Sequence, residues 1–357
     1  MTDFTPALSD AAMPEIKLAL DLSFVEAQFQ RKLKQLADGG NVAVQDCKVI
    51  HYKPGRRCVI DYDVVVKHTQ QPNQQHRLIG KIRANRFGKS GYRRLNALWE
   101  AGFNRETVRV PEPIGVVHQL HMWLQRHVPG RTFTELLAAY IAAKKSGCRT
   151  QALEDRLLEL ASLVATAVWK LSQTPIEFTT RHGIERECKI LHERLLPTRS
   201  DSDGPDGRIR KLLDRVNDVV AKHEHSSRFL PIHRDFYSDQ VICQQDTIHV
   251  IDFDTASLGD PALDVGNFNA HITEFSLRIL GDPFALQQIE DAIERQFLQL
   301  DCDSSREAVQ LYKSLALVRH IYISTLFAER ARFTEQILEL CESRLLNGNS
   351  KLQGASV

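Results

Sequence analysis

The chain has 357 residues, of which 43% are hydrophobic and 25% are charged, an ordinary balance for a globular protein large enough for two lobes. Its formal net charge of +1 excludes a nucleic-acid binder that depends on a global basic field. The sequence contains no run of ~18 apolar residues, so we expect no membrane span, and its N-terminus has neither the basic nor the apolar region of a secretory signal.

The N-terminal third of the chain is predicted to be rich in strands. Residues 1–13 are polar and include proline, which predicts disorder. Apolar residues then recur at helical spacing over 15–36, which indicates one or two helices. Five strands and one helix follow. The predicted strands span 43–52, 58–66, 77–84, 108–117 and 119–125, and the helix spans 92–100.

From residue 127 onward the pattern is mainly helical. Either Thr132 or Thr134 can cap the first of these helices, because a hydroxyl accepts a hydrogen bond from a backbone N–H of the first turn. The predicted helices span 132–143, 154–172, 184–196, 209–223, 261–280, 283–300, 304–330 and 332–346.

One segment of this helical part has a different pattern and carries the chemistry. His233-Arg234-Asp235 is followed by Gln240 and later by Asp252, at the end of an apolar run. Between Gln240 and Asp252 the pattern predicts a hairpin, and a two-residue loop at 245–246 would set Gln240 opposite Ile251, beside Asp252. The hairpin would bring an amide oxygen and a carboxylate together, which is the oxygen-rich corner that a Mg²⁺-nucleotide requires.

The order H-R-D-x-x-x-x-Q and then I-D-F-D resembles the catalytic and metal-binding loops of kinases. The continuation G-D-P-A-L-D over 259–264 looks like the aminoglycoside phosphotransferase and choline kinase-like superfamily of small-molecule kinases. Two positions depart from that superfamily: Arg234 replaces the usual glycine, and Gln240 replaces the usual asparagine. The resemblance is strongest over residues 231–268.

This resemblance implies an α+β, bilobal, protein-kinase-like fold. The small N-lobe, with its antiparallel sheet, would span 1–126 and the larger, mainly helical C-lobe 127–357. Lys81, on the third strand, is the expected phosphate-binding lysine, with Lys67 as its rival. No glutamate partner for Lys81 is evident, because Glu100 falls in the last turn of its predicted helix.

The resemblance also places the nucleotide. Gly55 and Arg56, in the turn after the first strand, would approach the phosphates, although a charged hairpin tip is also typical of a solvated loop. The segment Gln125, Arg126 and His127 would read the base edge through its backbone. The same residues are equally typical of a strand that ends before a Pro-Gly turn.

The resemblance assigns the chemical roles as well. Asp235 would accept the proton of the attacking hydroxyl, while Gln240 and Asp252 would bind Mg²⁺. Asp254 would lie on the same strand face as Asp252 and reach a second metal. His233 is expected to pack beneath the loop, and Asp264 to brace the loop through hydrogen bonds to its backbone.

The leading hypothesis is a phosphotransferase that moves the γ-phosphate of ATP or GTP to a hydroxyl of a small molecule, with Mg²⁺. An aminoglycoside, a sugar and an amino alcohol all remain open as acceptors. The alternative is a catalytically inactive protein of kinase fold that binds a ligand or a partner. A third hypothesis is a metal-dependent hydrolase in which His233 and Asp235 are metal ligands.

Seven cysteines are scattered along the chain without a C-x-x-C pair: Cys47, Cys58, Cys148, Cys188, Cys243, Cys302 and Cys341. This pattern favours reduced thiols in a cytoplasmic protein and disfavours a metal–cysteine site. We expect a monomer or homodimer with a small-molecule substrate, and neither nucleic acid nor membrane as a partner.

Overall fold

A computed structural model describes residues 10–84, 89–196, 205–223 and 228–346. The chain groups into two compact units, a first one with residues 1–130 and 249–254, and a second one with residues 131–248 and 255–357. Residues 1–9 of the predicted disordered start lie outside the described residues. Among the described residues, none of the helices has the length and apolar character needed to cross a membrane.

Three short helices open the first unit: α1 (Ile16–Ala19), α2 (Leu22–Lys32) and α3 (Lys34–Ala37). Helix α2 begins after Asp21, whose carboxylate accepts the backbone N–H of Phe24 at 3.0 Å and caps the helix. The sequence predicted one or two helices here, and the structure divides the same region into three.

The strands of the first unit form an antiparallel sheet, as predicted. Its order is β1-β2-β3-β6-β5. The strands are β1 (Asn41–Lys53), β2 (Arg57–Lys67), β3 (Gln74–Arg83), β4 (Val108–Arg109, outside this sheet), β5 (Pro113–Val117) and β6 (Met122–Arg126).

Alternation along β2 gives this sheet its two faces. Cys58, Ile60 and Tyr62 are fully buried on one face, where the Tyr62 ring meets Phe29 of α2 edge-on with centroids 5.3 Å apart. Burying such a side chain stabilises the fold by about 1.5–3 kcal/mol. Because side chains alternate, Arg57 and the other odd-numbered residues of β2 lie on the opposite face.

Helix α4 (Lys89–Leu98) follows β3 and continues as a π-helical segment, Trp99–Phe103. This agrees with the helix predicted for 92–100. The segment ends where Gly102 has a φ of 102°, which a residue with a side chain rarely adopts. Phe103 then inserts its buried ring into the unit.

The second unit is mostly helical, as predicted. Thr132 caps its first helix and forms a capping box with Glu135. The helices are α5 (Phe133–Lys145), α6 (Gln151–Ser172), α7 (Ile184–Leu195), α8 (Pro205–Lys222), α9 (Ala262–Leu280), α10 (Gln287–Leu300), α11 (Arg306–Thr325), α12 (Ala328–Ala331) and α13 (Thr334–Leu345).

Short strands connect these helices. They are β7 (Arg131–Thr132), β8 (Arg181–His182), β9 (Leu230–Ile232), β10 (Val241–Gln244), β11 (Thr247–Val250) and β12 (Ser257–Gly259). The two residues between β10 and β11 form the predicted hairpin turn, in which Gln245 has a left-handed φ of 44°. Strand β12 lies between β8 and β9.

Helix α9 is the centre of the second unit, and it packs against α11. Its side chains are buried over most of its length. Phe268 of α9 contacts both Phe133 and Phe236, with ring centroids 5.5 and 5.1 Å apart. Since Phe236 directly follows Asp235, the loop that carries this acid is anchored in the core.

Candidate active site

The loop after β9 is fixed to one face of α9. Both oxygens of the Asp264 carboxylate accept a backbone N–H, from His233 and from Arg234, each at 2.7 Å. One turn further along α9, the side-chain amide of Asn267 donates to the carbonyl of Phe236 at 2.8 Å. The predicted bracing role of Asp264 is confirmed, and His233 is buried as expected.

Burial of the Asp264 carboxylate has an electrostatic cost. It raises the pKa of Asp264 to about 6, although the charge of His233 and the two backbone hydrogen bonds act in the opposite direction. The carboxylate is therefore held ionised at neutral pH against a desolvation penalty. The loop geometry depends on that charge, because only the ionised form accepts both N–H groups.

Arg234 occupies a backbone conformation that explains the usual glycine at this position. Its φ is 70°, in the left-handed region, where a residue with a side chain costs about 1–2 kcal/mol. The hydrogen bond from its own N–H to Asp264 holds this conformation. The charge of Arg234 also acts on Glu187 of α7. Burial alone would raise the pKa of Glu187, but the hydrogen bond to His182 and the charges of Arg319 and Arg234 lower it.

Asp235 is exposed and lines a cavity of about 300 Å³ within the second unit. Among the described residues, no group donates a hydrogen bond to its carboxylate or pairs with it. An exposed, unpaired carboxylate on a rigid loop is suited to accept a proton from a bound hydroxyl.

Gln240 ends a 3₁₀ turn, Ser238–Gln240, directly before β10. The residue is buried, and its backbone N–H donates to the carbonyl of Tyr237 at 2.9 Å. In the described part of the chain nothing hydrogen-bonds to its side-chain amide. Its amide atoms still reach solvent, so the amide oxygen is available to bind a cation.

In the first unit, one face of the sheet carries three cations. Arg57 lies opposite Arg83, and the next pair on the same face is Val59 and Lys81. Directly opposed residues share a face, so Arg57, Lys81 and Arg83 all lie on the face away from the core. They form what we call the cationic face.

Two acids that follow β11 pair with this cationic face. The Arg57 guanidinium lies 3.3 Å from the Asp252 carboxylate, and Arg83 donates to the carboxylate of Asp254. Arg94 of α4 donates to the main-chain carbonyl of Asp254 at 2.6 Å. The structure thus brings Asp252 and Asp254 together with the predicted lysine, and it places Asp235 and Gln240 in the second unit.

The argument that Asp254 shares a strand face with Asp252 is wrong. Strand β11 ends at Val250, Asp252 has a left-handed φ of 64°, and residues 253–255 form a 3₁₀ turn. Side chains do not alternate through such a turn. The pairing of Asp254 with Arg83 gives it a structural partner instead.

The Lys81 ammonium lies against an aromatic ring rather than a carboxylate. Its nitrogen lies 4.8 Å from the centroid of the Trp123 ring, a cation–π contact. Burial lowers the pKa of Lys81, the charge of Asp252 opposes this shift, and Arg83 and Arg57 add to it. Among the described residues, no carboxylate oxygen lies within 4.0 Å of the ammonium. A bound anion would therefore strongly stabilise the charged form of Lys81.

Glu100 is not the partner of Lys81. It is exposed, and its carboxylate accepts a hydrogen bond from Asn96 at 2.8 Å. Helix α4 instead approaches the acidic segment closely, because a Cβ on Gly91 would lie 3.1 Å from the Asp254 carboxylate.

The turn at Gly55 is held by a residue that the sequence assigned to a disordered start. Gly55 has a φ of 64°, and its N–H donates to the Asp10 carboxylate at 2.8 Å. The Tyr52 hydroxyl donates to the same carboxylate, and these hydrogen bonds, first that of Gly55, lower the pKa of Asp10. Disorder is therefore wrong for residues 10–13, where Met13 is buried. Arg56 is exposed at the tip.

The segment predicted to read the base has part of its backbone occupied. The N–H of Arg126 donates to the carbonyl of Glu112 at 2.8 Å, and that of His127 donates to Arg77 at 2.9 Å. Gln125 is buried within β6. A donor for a base edge would therefore come from later in this segment, beginning with Val128.

Sequence reasoning missed several residues of this site. Arg83 could have been found by alternation, because it follows Lys81 by two residues on β3 and so shares its face. Arg94 and Trp123 gave no comparable signal, since their contacts join elements that are distant in sequence.

Three or more His, Cys, Asp or Glu side chains placed to hold a metal ion do not occur anywhere in the described residues. The hydrolase hypothesis requires such a cluster around His233 and Asp235, so the described part of the structure gives it no support.

Comparisons with known proteins bear on the family and the fold of the chain. Residues 89–297 match the model of the phosphotransferase enzyme family. A search of curated proteins found no match. Among solved structures, choline kinase from Cryptosporidium parvum Iowa II is similar with a TM-score of 0.60 at 10% identity, covering 94% of this chain and 99% of that chain.

Two further solved structures share the fold. Glucosamine kinase in complex with glucosamine, ADP and inorganic phosphate has a TM-score of 0.56 at 16% identity, covering 87% of this chain and 83% of that chain. A thermostable mutant of an aminoglycoside phosphotransferase has a TM-score of 0.54 at 15% identity, covering 87% and 97%. At these identities the likeness establishes the α+β, protein-kinase-like fold, and because the family model spans more than half of the sequence, the chain belongs to the phosphotransferase enzyme family.

Proposed function

We propose that this protein transfers the γ-phosphate of ATP or GTP to a hydroxyl group of a small molecule, with Mg²⁺. The observation that carries the proposal is the carboxylate of Asp235, which has no partner among the described residues and lies on a loop that Asp264 holds by two hydrogen bonds. Family membership supports phosphotransferase activity. The solved relative that holds glucosamine, ADP and inorganic phosphate supports a nucleotide and a small acceptor.

In the proposed reaction, Asp235 takes the proton of the acceptor hydroxyl. The acceptor oxygen forms a bond to the γ-phosphorus, the bond from that phosphorus to its bridging oxygen breaks, and the nucleoside diphosphate leaves with the electron pair. The products are a phosphate ester, the diphosphate and one proton. Rigid placement of Asp235 favours this step because little reorganisation is needed.

The cationic face of Arg57, Lys81 and Arg83 would bind the nucleotide phosphates. Gln240 and Asp252 would hold Mg²⁺, since carboxylate and amide oxygens are the hard donors that it accepts. The Gln240 amide, which lacks a partner among the described residues and reaches solvent, fits that role. When bound, the ion would neutralise negative charge on the phosphates. The sequence also proposed that Asp254 binds a second metal. Because Asp254 pairs with Arg83, this ion pair would have to break first.

Calorimetry with Mg²⁺-ATP and Mg²⁺-GTP tests the nucleotide, and release of ADP or GDP in the presence of candidate acceptors tests turnover. Asp235→Asn should abolish turnover and leave nucleotide binding and thermal unfolding unchanged. Asp246→Asn is the matched control, because Asp246 is an exposed acid at the tip of the β10–β11 hairpin. Absence of any response to both nucleotides would count against the proposal.

One observation favours a second candidate, a binding protein without catalysis. In the described residues Lys81 has no carboxylate partner, and Arg94 on α4 contacts the acidic segment instead. Such a protein would bind a nucleotide without hydroxyl-dependent turnover. Nucleotide turnover that disappears in Asp252→Ala would exclude it. For either candidate we expect a monomer or homodimer in the cytoplasm.

A further inference from the structure

The cavity beside Asp235 has features that define the acceptor more narrowly. Its volume of about 300 Å³ lies at the lower limit of ligand pockets and suits a single ring or a shorter chain. Tyr237, Phe275 and Phe327 give it apolar surface, and Thr134 adds a hydroxyl. The whole lining belongs to the second unit.

Charged residues of both signs line this cavity. Asp235 and Asp239 belong to the loop after β9 and Glu274 to α9, and the three arginines, Arg278, Arg319 and Arg330, come from α9, α11 and α12. An acceptor whose hydroxyl meets Asp235 therefore shares one small cavity with these arginines.

Two of the three arginines already have acidic partners. Arg278 lies 2.9 Å from Glu274, one turn earlier on α9, and Glu274 also lines the cavity. Arg319 lies 3.4 Å from Glu187, which does not line the cavity, and it also donates to the side-chain oxygen of Asn267. These two cations are positioned by the protein itself.

Arg330 differs from the other two. It is half-buried, and its guanidinium stacks on the ring of Phe327 with 5.2 Å to the centroid. Within the described part of the chain, no carboxylate oxygen lies within 4.0 Å of it. Its planar fork of donors, held by an aromatic ring at the edge of a cavity, is suited to a carboxylate or a phosphate.

Two histidines respond to the positive charge of these arginines: the half-buried His271, which lines the cavity, and the buried His320. The ring of His271 stacks on Tyr237 at 4.6 Å and meets His320 edge-on at 4.4 Å. Burial lowers the pKa of both, that of His320 to about 3, and the charges of Arg319 and Arg330 lower them further. Both rings are therefore neutral at pH 7 and add no charge of their own to the cavity.

We propose that the acceptor is a small hydroxylated anion, and that Arg330 binds its carboxylate or phosphate while its hydroxyl meets Asp235. This proposal rests on the proposed phosphotransferase function and narrows its substrate class. The transfer is the one given above: the acceptor oxygen gains the phosphoryl group, its proton goes to Asp235, and the nucleoside diphosphate leaves. The anionic group does not react and only orients the acceptor.

The test compares acceptors that share a hydroxylated backbone and differ in the charge of one substituent. One series contains glucose, glucosamine, glucuronate and glucose 6-phosphate, and a second contains glycerol, serinol, glycerate and glycerol 3-phosphate. Binding of each compound is measured by calorimetry on the full-length protein, with and without Mg²⁺-ATP, and turnover by ADP release. Comparing glucuronate and glycerate with the two phosphate esters shows whether Arg330 binds a carboxylate or a phosphate.

Arg330→Gln should weaken binding of the anionic members at least roughly tenfold and leave the affinity for Mg²⁺-ATP unchanged. Arg330→Lys should restore part of the loss, because it keeps the charge and loses the fork. Arg332→Gln is the matched control: Arg332 also stacks on an adjacent aromatic ring, Phe333 at 4.7 Å, but it does not line the cavity.

The proposal is overturned if a neutral or cationic member of either series binds as tightly as its anionic counterparts, or if no anion binding depends on Arg330. Failure of the underlying function gives a different result. In that case Mg²⁺-ATP binding or ADP release is absent in the unmodified protein, whereas acceptor binding by the free protein still reports on Arg330.

Discussion

Replacing Asp264 by asparagine should stabilise the protein at neutral pH and lower its activity at the same time. Asp264 is fully buried, and burial raises the pKa of its carboxyl from 3.8 to about 6. A raised pKa means that the folded state holds the proton more tightly than the unfolded state does. The folded protein therefore loses stability as the pH rises from about 4 to about 6.

The size of this loss follows from the shift in pKa. A difference of about two pH units corresponds to about 3 kcal/mol, lost above pH 6. Asparagine has a similar shape and does not ionise, so Asp264→Asn should lack this pH dependence. It should match the unmodified protein near pH 4 and exceed its free energy of unfolding by up to about 3 kcal/mol at pH 7.5.

Activity should change in the opposite direction. The asparagine side chain has one acceptor oxygen, so one of the two backbone N–H groups, that of His233 or of Arg234, loses its partner. Loss of a hydrogen bond to a charged group costs about 1.5–3 kcal/mol. If this cost is expressed as poorer positioning of Asp235 in the transition state, kcat falls roughly 10- to 100-fold. In the unmodified protein kcat should fall as the pH drops through about 6, as Asp264 gains its proton.

Urea unfolding at pH 4 and pH 7.5, with kcat over the same range, tests the reasoning. Asp301→Asn is the control, because Asp301 is also buried and accepts two hydrogen bonds from Arg228, each at 3.1 Å, but it does not contact the loop. It should lower stability without changing kcat. If Asp264→Asn is less stable than the unmodified protein at pH 7.5, burial does not dominate the pKa of Asp264 and the reasoning is refuted.

Three other substitutions test separate parts of the site. Lys81→Met should raise the KM for the nucleotide at least roughly tenfold, with no loss of thermal stability, since the buried ammonium is itself costly; an unchanged KM would remove Lys81 from the nucleotide site. Gln240→Leu should weaken the Mg²⁺ dependence of turnover, whereas Gln240→Asn should largely keep it; equal Mg²⁺ titrations for both would show that the amide is not a ligand. Arg234→Gly should leave the melting temperature within a few degrees, because relief of the left-handed strain, about 1–2 kcal/mol, offsets the lost attraction to Glu187; strong destabilisation would mean that this attraction dominates.

The sequence was sufficient to predict the elements that local pattern determines. The sheet, most of the long helices and the two-residue turn at 245–246 lie where periodicity and turn chemistry placed them. The strand predicted over 108–117 is instead divided into β4 and β5, and the helix predicted over 304–330 is divided into α11 and α12. The role of Asp264 was also predictable, because its motif fixes its position in the first turn of a helix.

What could not be predicted depends on contacts between distant residues. The pairing of Arg83 with Asp254 joins positions 171 residues apart. The left-handed φ of Asp252 replaces the strand that alternation predicted, and local propensity gives no sign of it. Asp10 lies in a polar segment typical of disorder. It is held in place by hydrogen bonds from Tyr52 and Gly55, which are distant from it in sequence.

The ion pairs of the cationic face have a consequence for the order in which ligands arrive. Asp252 and Asp254 are neutralised by Arg57 and Arg83 within the first unit, so these carboxylates do not repel each other when no metal is present. A lone Mg²⁺ ion would have to displace a guanidinium that then has no new anion nearby. A triphosphate supplies that anion, so metal and nucleotide should load as one complex, and the free protein should stay folded in the presence of a chelator.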